Sequence, residues 1–101
     1  MPHPSVERLN ELFEYSSSGN GALIWRIGRQ GRAAGSFAGY ETPRKELRVH
    51  IDGVSYLAAN VAWALNQDCW PEYRLTFLNG DRTDIRMVNL VEASRKDGPG
   101  R

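Results

Sequence analysis

The stretch from Leu47 to Gln67 restricts what this chain can fold into more than any other part of it. Leu47, Val49 and Ile51 alternate with Arg48, His50 and Asp52, the period-two pattern of a strand with one face buried and one wet. Asp52-Gly53 then supplies the two residues that tolerate the left-handed backbone of a tight hairpin turn. Val54-Ser55-Tyr56-Leu57 is the returning strand. From Ala58 to about Gln67 the pattern becomes helical (AANVAWALNQ), with Val61, Ala62, Trp63 and Leu65 as core candidates. A hairpin followed at once by a helix predicts an α+β domain rather than an all-helical or all-strand one.

The flanks fit the same class. Residues 5–15 read as an amphipathic helix, with Ser5 as N-cap and Val6, Leu9, Leu12 and Phe13 on one face. The run Ser16 to Gly21 is a turn, and Ala22 to Ile27 (ALIWRI) a strand. Gly28 to Tyr40 holds four glycines and three alanines, too many glycines for a regular helix, and reads as a basic loop. Arg74 to Leu78 is a short strand, Asn79-Gly80-Asp81 a turn, and Asp84 the N-cap of a brief helix through Asn89. With 101 residues, a single domain spanning 1–101 is expected, with flexible tails at 1–4 and 95–101.

The formal charge of +1 hides an asymmetry. Between positions 26 and 48 stand Arg26, Arg29, Arg32, Arg44, Lys45 and Arg48 against Glu41 and Glu46, a local excess of +4 that leaves −3 for the remainder. Such a segment can face an anionic partner, or simply solvate a glycine-rich loop. Cys69 is the sole cysteine, so an intramolecular disulfide and a cysteine-based zinc site are excluded, and a buried, inert thiol beside Trp70 is expected. The opening residues carry no apolar signal-like core and no run approaches the ~20 apolar residues of a membrane span. An intracellular, cytoplasmic protein is expected, in the host cytoplasm if the chain is phage-encoded.

Residues 74–90, RLTFLNGDRTDIRMVNL, resemble the core of phage and homing-type HNH endonucleases. In that family an aspartate-histidine pair precedes isoleucine-asparagine-glycine-aspartate, and an asparagine-leucine pair closes the motif. Leu78-Asn79-Gly80-Asp81-Arg82, then Asp84, Arg86, Asn89 and Leu90, fall on that frame. Upstream, LNELFEY at 9–15, Leu23 and Trp25, Gly35 to Tyr40, LRVHIDG, Tyr56-Leu57-Ala58, Ala62-Trp63 and Trp70-Pro71 extend the similarity over roughly residues 8–95. The resemblance implies a ββα unit in the last third of the chain.

It also implies which chemistry is gone. Cleavage of this kind needs a general base for the attacking water and a divalent ion to neutralise the scissile phosphate. The resemblance puts the base at Phe77, whose ring has no titratable proton, and a metal-holding aspartate at Thr76, a poor ligand for a hard cation. The bracing asparagine falls at Ile85, the histidine after Tyr-Leu-Ala at Ala59, and the next position at Asn60. Of the implied metal ligands only Asn89 remains, so no metal or other cofactor is expected. Rescue would need Asp81 and Asp84 as metal ligands with His50 or His3 as a displaced base. Turn and cap roles for the two aspartates, a solvated strand position for His50 and a flexible tail for His3 are the expected alternatives.

The leading expectation is a catalytically inactive, HNH-like phage or prophage protein. It would bind and inhibit a host nucleic-acid-processing complex, a CRISPR effector or another defence machine among them. Its contact residues would be the basic segment and the former cleft at Phe77, unless that cleft has closed into core. The alternatives are a non-cleaving DNA-binding module that uses Arg26, Arg29, Arg32, Arg44, Lys45 and Arg48, an active nuclease with an altered site, and a remnant without function.

Overall fold

The computed structural model describes residues 3–26 and 34–93. Helix α1 (Val6–Leu12) starts where expected, because the Ser5 hydroxyl accepts the Arg8 amide at 3.1 Å and so satisfies one of the free N–H groups of the first turn. It ends three residues earlier than the helical spacing suggests. Phe13–Ser16 form strand β1, paired antiparallel with β2 (Ala22–Trp25), so that Phe13 faces Trp25 and Tyr15 faces Leu23. The Phe13 and Trp25 rings meet at 4.8 Å. Aromatic side chains gain more from a cross-strand partner than from another helical turn, and that outweighs the local periodicity.

The central hairpin is as the alternation predicts. Strand β4 (Leu47–Ile51) and strand β5 (Val54–Leu57) are joined by Asp52 and Gly53, both with positive φ (51° and 85°). A short strand β3 (Tyr40–Glu41), within what reads as loop, adds to the other edge of β4 in the order β3-β4-β5. Val49 and Ile51 point inward and are buried, while Arg48 and His50 face out.

Helix α2 (Ala58–Gln67) is the hub. It touches α1, both strands of the central hairpin, and β1 and β2. Its buried residues are Ala58, Ala59, Val61, Ala62 and Ala64. Of the expected core residues, Val61 and Ala62 are buried, whereas Trp63 and Leu65 are only partly so. Four alanines on one helix let its backbone approach two sheets closely, and Leu9, Leu12, Phe13, Val49, Ile51 and Leu90 then fill the remaining volume.

Asp68 takes a left-handed conformation at the C-cap (φ 64°). Beyond it Cys69 is exposed, which corrects the expectation of a buried thiol: the chain turns out of the core at Asp68. His3 packs against the residue that follows Cys69. Its ring stacks on Trp70 at 4.3 Å, and the Trp70 indole N–H donates to the Pro4 carbonyl at 2.6 Å.

The last third differs most from expectation. Strand β6 (Leu75–Phe77) pairs antiparallel with an unforeseen strand β7 (Leu90–Glu92), and the only helical piece between them is a 3-10 turn, Met87–Asn89. Asp84 is not its cap, since Arg86 holds that position. The brief helix expected through Asn89 is thus only this turn, and with Ala93 the last described residue after β7 the expected ββα unit is not confirmed.

The β1–β2 turn is pressed against this region. The Ile85 amide donates to the Asn20 carbonyl at 2.8 Å, and the Tyr15 hydroxyl donates to the Ile85 carbonyl at 2.9 Å. Gly21, at φ +83°, leaves no room: a Cβ there would stand 3.0–3.1 Å from Ile85 and the Arg86 nitrogen. Gly19 also has positive φ but faces open space. Gly21→Ala is therefore expected to cost about 2–3 kcal/mol, combining strained backbone with overlap, and Gly19→Ala about 1 kcal/mol. Thermal unfolding followed by circular dichroism checks the ordering. Equal losses at the two sites would contradict the close approach.

Candidate functional site

Loop 78–89 is built around one buried carboxylate. Asp84 is 1% exposed. Its Oδ1 accepts from the Arg86 amide (3.2 Å) and Nε (2.8 Å), and its Oδ2 accepts from Arg86 Nη2 (2.6 Å) and Asn79 Nδ2 (2.8 Å). Four donors on one carboxylate offset the desolvation that burial imposes. Hydrogen bonds from the Arg86 side chain, then from its amide and from Asn79, hold the Asp84 carboxyl down at about 2 against the opposing effect of burial.

Asn89 closes the ring. Its Nδ2 donates to the Asp84 carbonyl (3.0 Å), and its Oδ1 accepts the Asn79 amide (2.9 Å). Both ends of the amide are thereby used inside the loop, and the side chain is buried. Asp81 accepts from the Thr83 amide and hydroxyl at 2.9 and 2.7 Å, which lowers its carboxyl pKa in turn. The two aspartates considered as metal ligands are thus engaged in local hydrogen bonds. Among the described residues no three His, Cys, Asp or Glu side chains converge to hold a metal ion.

Beside this loop lies an open groove. One cleft of about 380 Å³ is lined by Leu57, Ala59, Thr76 and Phe77, with Arg74 and Arg82 at its rim. A second recess of about 310 Å³ shares Leu57, Ala59, Arg74, Leu75 and Phe77 with it and adds Asn60 and Tyr73. Phe77 is half-buried between the two, Ala59 is buried beneath, and the exposed Thr76 donates its hydroxyl to the Val91 carbonyl at 3.2 Å. Three of the four positions where the resemblance implies lost groups are therefore brought together. The fourth is not: Ile85 is in the core and lines a separate apolar recess of about 220 Å³ with Gly21, Leu23, Phe37 and Leu47. The question of core or cleft has a split answer, with Ile85 in the core and Phe77 on the groove wall.

The basic positions divide likewise. Arg29 and Arg32 lie outside the described residues. The exposed Arg26 turns back on the fold, its Nε donating to the Phe13 carbonyl at 2.8 Å. Arg48, half-buried on the outer face of β4, donates Nε to Ser55 Oγ at 3.1 Å. Arg44 and Lys45 are exposed on the β3–β4 turn. His50 is exposed on the same face as Arg48, its Nε2 3.5 Å from the Tyr40 hydroxyl.

Two rim residues were not among those expected. Arg82 crosses to the β3–β4 turn, donating to the Arg44 carbonyl at 2.6 Å and meeting Glu46 at 3.5 Å. No local sequence signal announces a contact between positions so far apart in the chain. Arg74 shares the strand parity of Thr76, which places it at the groove once β6 is recognised as an edge strand.

Comparison of the chain with protein-family models, with curated proteins and with solved structures gives no match. The likeness to HNH endonucleases accordingly rests on the sequence residues quoted above. No helix among the described residues is long and apolar enough to cross a membrane.

A depressed carboxyl stabilises the fold above its unfolded pKa, near 4, and that contribution disappears as pH falls through the folded value near 2. Urea midpoints are therefore expected to fall between pH 5 and pH 2.5, and more steeply than in Asp84→Asn. At pH 7 that variant loses about 2 kcal/mol from the charged hydrogen bonds. Parallel pH profiles for the two proteins would contradict the assignment.

Proposed function

We propose that this chain is a non-cleaving, HNH-like phage or prophage protein that binds a host nucleic-acid-processing complex and inhibits it, with the Phe77 groove as its contact surface. The observation that carries this reading is the open groove at the positions the resemblance assigns to base and metal. Its wall is phenyl, its floor methyl, and its rim two guanidinium groups, one of them paired with the Glu46 carboxylate. Thr76 and Phe77 offer neither a proton acceptor nor an anionic ligand, and loss of general-base catalysis alone commonly costs ~10²–10⁴-fold in rate.

A half-buried aromatic between two recesses, with arginines at the edge, has the composition of an interaction hot spot: apolar anchoring area surrounded by groups that orient a partner. The fold supports the groove from behind, through buried Ala59 on α2 and the pairing of Phe77 with Leu90 across β6 and β7. Arg82 is held in position by Arg44 and Glu46, so part of its ordering cost is met before binding.

Affinity capture on the full chain from a host lysate tests the reading. One nucleic-acid-processing complex is expected to be retained, and to be lost at least tenfold with Phe77→Ala and Arg82→Glu at unchanged circular dichroism. No nicking of plasmid or single-stranded DNA is expected with Mg²⁺, Mn²⁺ or Zn²⁺. Metal-dependent cutting abolished by Asn89→Ala or His50→Ala, or capture indifferent to Phe77, would overturn it.

A further inference from the structure

We infer that the outer face of the three-stranded sheet is a binding surface for single-stranded nucleic acid, a site separate from the Phe77 groove but continuous with it at Leu57. Strand register places Tyr40 beside Arg48, Arg48 beside Leu57, and His50 beside Ser55. Opposed residues of an antiparallel pair share a face, so Tyr40, Arg48, His50, Ser55 and Leu57 form one surface; Glu46, which has the same parity at the turn end of β4, is paired with Arg82. Arg44 and Lys45 stand at its end, on the β3–β4 turn.

Charge is the first argument for this partner. Among the described residues, the side chains of Arg44, Lys45 and Arg48 have no carboxylate within ion-pair distance, whereas Arg8, Arg82 and Arg86 each do. Arg26, bonded to the Phe13 carbonyl, and Arg74, at the groove, also lack such a partner, but only Arg44, Lys45 and Arg48 cluster on this sheet. An anionic polymer with evenly spaced charges would complement it.

The rings are the second argument. Tyr40 is 39% exposed, and its ring and that of His50 lie 5.4 Å apart and tilted by 42° on the same face. Exposed rings interleaved with cations suit bases splayed from a backbone, since every base has a face to stack. A duplex keeps its base faces covered and would meet only the cations. The outward-facing Leu57 lines both recesses of the groove, so a strand leaving the sheet would pass toward Arg74.

Fluorescence anisotropy of the full chain with a labelled 20-nucleotide mixed-sequence DNA strand, and with its duplex, tests the inference across a salt series. Saturable binding to the single strand is expected, at least fivefold tighter than to the duplex. The logarithm of affinity should fall with that of salt at a slope of about −2, as for three phosphate contacts at ~0.7 each. Tyr40→Ala should weaken binding about tenfold and Tyr40→Phe hardly at all, and Arg44→Glu with Lys45→Glu should flatten the salt slope. Capture of the host complex by the groove should survive Tyr40→Ala, so that failure of this inference and failure of the groove reading remain distinguishable. No saturable binding, equal affinity for duplex, or insensitivity to Tyr40→Ala would each overturn it, as would capture of protein alone by this face.

Discussion

The Asp84 carboxylate, taken out of water and met by four donors from Asn79 and Arg86, gives loop 78–89 a single shape. A carboxylate buried without such partners would sacrifice several kcal/mol of hydration. Here the opposing charge comes from Arg86, whose side chain is 40% exposed and keeps part of its own solvation. With the carboxylate fixed, the Asp84 carbonyl is positioned for Asn89, Asn89 for the Asn79 amide, and the backbone of Ile85 for Asn20 and Tyr15. The β1–β2 turn, loop 78–89 and β6–β7 are joined through these contacts. Gly80 and Arg82 of that loop line the groove, so its shape depends on the loop's.

This division of labour gives physical meaning to a partial resemblance. Asn79, Asp84, Arg86 and Asn89, which fall on the HNH-like frame, all form hydrogen bonds that the loop requires. Thr76, Phe77, Ala59 and Ile85 depart from the frame, and none of them makes a side-chain hydrogen bond on which the loop depends. Thr76 bonds only the neighbouring strand, and Ile85 contributes apolar volume and two backbone groups. Under the proposed function, a chain released from cutting but still obliged to fold would retain the first set and be free to alter the second.

Much of the architecture was legible in the sequence where local rules act alone. The β4–β5 hairpin and α2 follow from strict alternation, a turn that needs left-handed residues, and an abrupt change of period. What stayed hidden depends on contacts distant in sequence. Phe13 to Tyr15 satisfy a helical pattern until Leu23 and Trp25 offer a strand partner. Asp84 looks like a helix cap, a role that a small acidic residue plays whenever no arginine reaches it first. Cys69 and Trp70 read as one buried unit, but the left-handed turn at Asp68 carries the chain out of the core, leaving Cys69 exposed while Trp70 packs back partly buried. The groove was legible only as a set of missing groups. Its rim, Arg74 and Arg82, became visible once strand parity and a contact 38 residues long in sequence were known.

Amide hydrogen exchange at Asn79 and Ile85 in the full chain, with and without millimolar Mg²⁺, tests the central claim most directly. The Asn79 amide is held by Asn89 Oδ1 and the Ile85 amide by the Asn20 carbonyl. If the loop is a structural bracket, both exchange only through near-global opening, with equal protection whether or not the metal is present. Exchange close to that of an open loop, or protection that appears only on adding Mg²⁺, would show instead that these residues await a metal, and would contradict the account.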